Sequence, residues 1–305
     1  MPAPLEVRFV ARERCILCGA LASTFIRSAT GADAESGVGT YDVLACAACD
    51  IGYTQPYPSE DTVGALYETK TSSDFDFIRN TYVDRVKDLL ARQLLKRLAA
   101  KLSQPATAVL DYGCGNGRFI AEAHRLFGAA TAHGVDYQTS APPIFALAPR
   151  PGLHYLKVDQ FEQMSVKYDV ILLRHVLEHT HHPVALLERL AARLKPGGVL
   201  YIEVPNLNAG CARVFGGAWS LYYLPRHIFH YSPRSLASII ARAGLRGEVK
   251  RTEIPVMGNM IAVLLNLEKS NVLVQTAGIL LHPMQQLIEL SSRSSTALHS
   301  TLTLP

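Results

Sequence analysis

The chain has 305 residues, 49% of them apolar and 18% charged, enough to bury one large core or two modest ones. A net charge of +4 is too small to mark a polyanionic partner. Residues 1–60 carry four Arg against seven Asp plus Glu, which counts against a nucleic-acid module at the front. No apolar run reaches the length of a membrane span, and MPAPLEVRFVARER lacks the apolar core of a signal peptide.

No transmembrane helix is therefore expected, and the expected compartment is cytoplasmic. There thiols stay reduced, so the six cysteines read as ligands or core residues before disulfides. Four of them form two C-x-x-C pairs, Cys15 with Cys18 and Cys46 with Cys49, separated by 27 residues. Each pair can fold into a knuckle that aims two thiolates at one point, and two knuckles make a closed tetrahedral Zn2+ site. Gly31, Gly37 and Gly39 mark a turn between them, so residues 1–56 read as a zinc-ribbon-like module. Residues 57–103 read as a helical linker or lid, with Val83, Val86, Leu90, Leu94 and Leu98 at helical spacing.

From about residue 104 to 250, short apolar strands alternate with helices, the pattern of a parallel α/β sheet. Strands are expected at Ala108–Tyr112, Ala132–Asp136, His154–Val158, Val170–Leu173 and Val199–Val204. Ligands of such sheets bind at the carboxyl ends of the strands. The first strand runs into Asp111-Tyr-Gly113-Cys-Gly115-Asn-Gly117, then the apolar start of a helix. The spacing is G-x-G-x-G, whereas the dinucleotide fingerprint is G-x-G-x-x-G. An acid ahead of the glycines disfavours a pyrophosphate and favours an ammonium, such as that of S-adenosylmethionine. Asp136 ends the next strand, 19 residues beyond Gly117, where an acid can hold ribose hydroxyls.

The ordered set VLDYGCGNGRF, GVDY, YDVILLRHVLEH and LKPGGVLYIEVPN resembles the successive motifs of class I S-adenosylmethionine-dependent methyltransferases. The resemblance implies a mostly parallel, seven-stranded Rossmann-like sheet. It also implies that Asp111, Gly113, Gly115, Gly117, Asp136, Tyr137, Asp159 and Arg174 hold the cofactor. Asp159 has a plainer reading as a helix N-cap.

RHVLEHTHHP contains His175-x-x-Glu178-His179, the H-x-x-E-H of inverted zinc peptidases. A strand precedes it and Pro183 follows closely, so the long helix that a peptidase needs is missing. In the methyltransferase reading this is a strand-to-helix corner on the acceptor side, with Glu178 and His179 as candidate catalytic groups. The stretch is also similar to ubiquinone-pathway O-methyltransferases, which carry E-x-x-E-H there. Whether the corner binds acceptor, a second metal or only its own backbone stays open, and His181 and His182 read as exposed.

A helix is expected over 233–243, after Ser232-Pro233 and before Gly244. Just ahead of it, His227 stands where zinc-containing sugar C-methyltransferases have a proposed base, although Arg226 replaces their acid. That resemblance implies a sugar-nucleotide or saccharide acceptor. A quinone-like or natural-product hydroxyl is the alternative, and a non-catalytic zinc and cofactor adaptor the reading from another class. Residues 251–305 carry few charges and read as an apolar extension that completes the core, makes a dimer contact or touches a membrane peripherally. Their Ser/Thr-rich end is expected to fray.

Overall fold

The computed structural model describes residues 7–11, 13–15, 17–21, 23–30, 39–68, 82–138, 140–147, 149–265, 267 and 272–305. Gly31, Gly37 and residues 69–81 of the expected lid lie outside them. The front of the chain forms β1 (Phe9–Val10), β2 (Ser23–Thr30), β3 (Thr40–Cys46), β4 (Gly52–Gln55) and β5 (Tyr57–Pro58). The helices α1 (Ala65–Glu68) and α2 (Tyr82–Ala99) follow. The expected helical stretch thus opens with a short strand, β5, which pairs antiparallel with β1.

The alternating middle is β6 (Ala108–Tyr112), α3 (Arg118–Phe127), β7 (Thr131–Asp136), α4 (Pro143–Leu147), β8 (Leu153–Lys157) and α5 (Val158–Gln163). It continues as β9 (Tyr168–Arg174), α6 (Pro183–Ala191) and β10 (Leu194–Pro205). The expected strand His154–Val158 ends one residue early, because Val158 already starts α5. The last stretch holds α7 (Gly210–Phe215), β11 (Phe229–His230), α8 (Pro233–Arg242) and β12 (Lys250–Thr252). Then come α9 (Met257–Leu265), α10 (Val272–Leu280), α11 (His282–Ser291) and β13 (Ala297–Leu302). Ser232 caps α8 by accepting from the Ser235 N–H, with Pro233 in the first turn.

Seven strands make the central sheet in the order β12-β13-β10-β9-β6-β7-β8. The five from β8 to β10 are parallel, and β13 runs antiparallel to both β10 and β12. The central strands β6 and β9 are buried almost end to end, as a parallel sheet covered on both faces requires. The chain leaves β6 towards β7 on one side and returns to β9 on the other. The carboxyl ends of β6 and β9 therefore flank the switch point where such sheets bind ligands.

Two boundaries expected from the sequence move. The chain end does not fray: β13 lies inside the sheet, with Ala297, Leu298 and Leu302 buried against β10 and β12. The two strands that flank the apolar extension thus belong to the central sheet. The cysteine-bearing front is not set apart either. Its strands β2, β3 and β4 form a four-stranded sheet that β11 completes from beyond residue 228. A Cβ at Gly52 would stand 2.8 Å from the Cβ of His230, so only glycine allows β4 and β11 this close.

Helices α9 to α11 pack over α7 and its surroundings. Glu289 accepts from the Gly210 and Cys211 N–H groups at 3.0 and 2.9 Å, satisfying the start of α7. On the outside, Leu273, Leu280, Leu287 and Leu290 are exposed. Among the described residues, no helix is long and apolar enough to cross a membrane.

Candidate active site

The glycine loop is stitched to β7. Gly113 and Cys114 donate to the Val135 carbonyl at 2.7 and 3.0 Å. Gly113, Gly115 and Gly117 all have positive φ, at 80°, 53° and 77°. At Gly113 a Cβ would lie 2.2 Å from Val176 Cγ2, so the loop rests bare against the chain that leaves β9. Asp136 accepts from Gly115 N through Oδ2 and from Tyr137 N through Oδ1, each at 2.8 Å. The acid expected at a ribose thus also shapes the loop. Tyr137 is 67% exposed beside it. Asp159 is exposed in the first turn of α5; Lys157 occupies the N-cap position, so Asp159 is not the cap. An acid in a first turn is favoured by the helix dipole.

Asp111, 3% exposed, is pushed up to about 7 by burial, against the lowering pull of Arg174 and with a smaller push from Asp136. Arg174 lays its Nε and Nη2 on Glu203 Oε1 at 3.2 and 3.1 Å, with its guanidinium 4.3 Å from the Phe119 ring centroid. Tyr201 donates to the other Glu203 oxygen at 2.8 Å. Glu203 stays well below the usual carboxylate range, because Arg174 and His175 outweigh its burial. A buried carboxylate beside a backbone-rich loop suits an ammonium, and glycines without Cβ suit a ligand lying against the main chain. The residues present therefore fit S-adenosylmethionine.

His175 follows at φ 54°, a left-handed conformation uncommon for histidine. Its Nδ1 is 3.4 Å from Glu178 Oε1 and its Nε2 is 3.3 Å from Glu203 Oε1. Burial lowers this imidazole, but the two carboxylates raise it more, to about 9. H-x-x-E-H here is no helix: Leu177–His179 is a single 3-10 turn, and His175 precedes it.

That turn meets the loop ahead of α8. Glu178 is 0% exposed, and the Ile228 N–H donates to its main-chain oxygen at 2.8 Å. His227 Nε2 lies 3.8 Å from Glu178 Oε1, and the His179 and His227 ring centroids are 4.5 Å apart. His227 Nδ1 contacts the Leu221 carbonyl at 2.9 Å. His179 Nδ1 lies 3.1 Å from the Arg226 carbonyl and 3.0 Å from the Tyr67 hydroxyl. Burial, then the neighbouring His179 and His230, hold His227 well below the ordinary imidazole value. The three candidate catalytic residues thus share one buried corner.

Several neighbours of this corner escaped the sequence reading. Thr54 on β4 donates to the His227 carbonyl at 2.6 Å and stands 2.9 Å from His230 Nε2. Arg226, buried, donates to the Leu66 carbonyl on α1 and to the Tyr223 hydroxyl. Tertiary pairing alone brings Thr54 and Tyr67 here. Glu203 had a signal, a lone acid in the apolar strand LKPGGVLYIEVP. His181 is half-buried with Nε2 2.8 Å from the Pro58 carbonyl, while His182 is exposed beside Glu60.

The four paired cysteines converge. Cys15 Sγ is 3.7 Å from Cys49 Sγ, and Cys18 Sγ is 3.5 Å from Cys46 Sγ. Thiolates around a tetrahedral zinc stand about 3.8 Å apart. Burial raises the Cys46 thiol, but the N–H groups of Cys49 and Ala48 and its thiol neighbours bring it down to about 7. The arrangement is that of a small zinc-ribbon-like module.

A profile of the methyltransferase-domain family matches residues 79–248, more than half of the chain. The ubiquinone biosynthesis O-methyltransferase of Xanthomonas axonopodis pv. citri (strain 306) is 30% identical over 172 residues, 50% of this chain and 69% of that protein. Its counterpart in Cereibacter sphaeroides (strain ATCC 17025 / ATH 2.4.3) is 28% identical over 174 residues, 53% of this chain and 70% of its own. Among solved structures, the plantazolicin methyltransferase BpumL in complex with monoazolic desmethylPZN analog and SAH aligns over 76% of this chain and 87% of its own. That alignment has 18% identity and a TM-score of 0.49. The profile match spans the glycine loop, the switch point and the Glu178 corner, and the chain belongs to the family of S-adenosylmethionine-dependent methyltransferases.

Proposed function

We propose that the enzyme methylates an oxygen or carbon of a small acceptor held against the Leu177–His179 turn. The observation that carries this reading is the convergence of Glu178, His179 and His227 at the turn that directly follows Val176, which packs on Gly113 of the cofactor loop. Bound S-adenosylmethionine supplies an electrophilic sulfonium methyl. Asp111, Gly113, Gly115, Gly117, Asp136, Tyr137 and Arg174 would hold it, with Asp159 at the outer edge. The protein's own part is to position the acceptor and exclude water. His227, neutral across the physiological range, offers a lone pair to the acceptor proton. So low a pKa makes it a weak proton sink.

The ubiquinone biosynthesis relatives support a phenolic, quinone-like hydroxyl over the sugar nucleotide or saccharide precursor that the sugar-pathway resemblance implies. Zn2+ on Cys15, Cys18, Cys46 and Cys49 is read as structural, since four thiolates leave no open position. Helix α1, whose Leu66 carbonyl accepts from Arg226 beside this corner, would cover the acceptor. The exposed leucines of α10 and α11 are the face that a peripheral membrane contact would use.

Labelled S-adenosylmethionine offered with a panel of phenols, catechols and sugar nucleotides tests the reading. Label in a phenolic product, reduced at least 100-fold in His227→Ala, is the expected result. Label confined to sugar nucleotides would overturn the acceptor class. A chain that does not bind S-adenosylmethionine would overturn the whole reading.

A further inference from the structure

His175 stands between two buried carboxylates. Its N–H donates to the Glu203 main-chain oxygen at 2.9 Å, and its left-handed φ of 54° ends β9 there. One ring nitrogen faces each acid: Nδ1 lies 3.4 Å from Glu178 Oε1, and Nε2 lies 3.3 Å from Glu203 Oε1. A carboxylate only accepts, and a neutral imidazole carries one N–H and one lone pair. A neutral ring would therefore turn a lone pair on one of the two acids, whereas an imidazolium offers a proton to both. Burial lowers this ring, and the two carboxylates raise it to about 9, in keeping with that geometry.

The two acids depend on this ring unequally. Glu203 already holds Arg174 through two nitrogens and Tyr201 through its hydroxyl. Glu178 is 0% exposed, and among the described residues no hydrogen-bond donor reaches either of its oxygens. Its ion-pair neighbours there are His175 and, at 3.8 Å, His227 Nε2. The Leu221 carbonyl accepts the proton of His227 Nδ1, so Nε2 turns a lone pair to Glu178. The other ionisable groups around His227 are His179 on the turn, Tyr223, Arg226 and His230 on its own segment, and Tyr67 behind His179. Arg226 donates to the Leu66 carbonyl and the Tyr223 hydroxyl. A buried carboxylate with no cation beside it draws a proton. His227 Nε2 is the atom with which Glu178 would share one.

We propose that His175 is a positioning residue for methyl transfer: doubly protonated between Glu178 and Glu203, it balances Glu178 and so leaves the Nε2 lone pair of His227 free for the acceptor proton. The proposal rests on the reading of this corner as the acceptor side. With the imidazolium in place, Glu178 has its cation. His227 then stays neutral, as burial, His179, His230 and the His175 charge itself all favour. Without the imidazolium, one proton settles between Glu178 and His227, and the base is blocked until that proton leaves. The same ring joins the acceptor corner to Arg174, at the cofactor end, through their shared Glu203. Its effect reaches the acceptor through Glu178 and His227.

The test offers labelled S-adenosylmethionine with the panel of phenols, catechols and sugar nucleotides to the full chain and two variants, across neutral and alkaline pH. His175→Asn removes the charge while suiting the left-handed backbone, and His175→Arg keeps a charge in a fork that can reach two carboxylates. His175→Asn should lose about 100-fold of turnover at neutral pH and regain about 10-fold per pH unit as the shared proton leaves. His175→Arg should stay within about 10-fold of wild type and follow its pH profile. S-adenosylmethionine affinity, read by calorimetry, should stay within about 3-fold in both, because Arg174 and Tyr201 still hold Glu203. A His175→Asn enzyme as fast as wild type at neutral pH would overturn the proposal. An equal loss at every pH in both variants, or loss of cofactor binding along with turnover, would show a structural role and overturn it too. Wild type that binds S-adenosylmethionine yet labels no member of the panel would strike the underlying reading instead.

Discussion

His227 Nδ1 stands 2.9 Å from the Leu221 carbonyl, and this contact decides which nitrogen of the ring looks at Glu178. Because the carbonyl only accepts, Nε2 is the lone-pair atom at the acceptor corner. His227→Ala is therefore expected to cut turnover by about 100- to 10000-fold. Its S-adenosylmethionine affinity should barely change, since the ring's hydrogen-bond and ring partners among the described residues, Leu221, Glu178, His179, Tyr223 and His230, lie outside the cofactor loop. Steady-state kinetics alongside calorimetry would separate the two, and a variant that loses cofactor affinity in step with turnover would refute the assignment.

Asp136 bonds to both Gly115 N and Tyr137 N, so it acts on the loop as well as on the ligand. Asp136→Ala removes two charge-assisted bonds, each worth about 1.5–3 kcal/mol. Weakening of S-adenosylmethionine binding by at least 100-fold is expected, read by calorimetry. Asp136→Asn, which keeps one acceptor oxygen, should recover part of it.

Asp111 links cofactor binding to pH. Its folded pKa, about 7, lies above the ordinary 3.8, so the fold favours the protonated form. Its contribution to stability is therefore greatest in acid and declines as pH rises from about 4 to 7, levelling off above. Asp111→Asn, neutral throughout, should melt at a higher temperature than wild type above pH 7 in the absence of ligand. The gain is at most about 4 kcal/mol from a shift of this size. The same variant should lose S-adenosylmethionine affinity. Thermal melts at pH 5 and pH 8 would check the sign.

The cysteine site should make itself felt at the acceptor corner. Cys49 stands three residues before β4, whose Thr54 holds the His227 carbonyl. Cys46→Ser should release about one zinc per chain and lower the melting temperature, while part of the S-adenosylmethionine binding on β6 and β7 survives. Metal analysis and calorimetry on one preparation would check both halves. A wild-type chain without zinc would remove the module's metal.

Removing residues 297–305 takes out a strand bonded on both edges. It should leave β10 with an unpaired edge and no soluble folded protein, as judged by circular dichroism and gel filtration.

The cofactor side was legible in the sequence because it is local. Asp111, the three glycines and Asp136 lie within 26 residues, and the strand and helix that carry them have clear periods. The cysteine pairs were legible because doublets at short spacing are rare without a shared ligand. The acceptor corner was legible only in part. Glu178 and His179 are adjacent, but their partners Tyr67, Arg226 and Thr54 come from segments whose pairing no local pattern announces. The end of the chain was misjudged because SSRSSTALHSTLTLP is rich in Ser and Thr. In β13, Ser300 is buried and donates to the Glu248 carbonyl, so its polarity is satisfied inside the fold.

The pairing of β4 with β11 has a consequence for how the enzyme is made. Thr54 and His230 are 176 positions apart, so the sheet that carries the second cysteine knuckle stays one strand short until residue 230 has been synthesised. Contacts this distant in sequence form late, because a long loop must close first. A nascent chain could gather its first four thiols early, yet the corner with Glu178 and His227 would assemble only after most of the polypeptide had left the ribosome. Competence for methyl transfer would then arise near the end of folding, after the local cofactor loop.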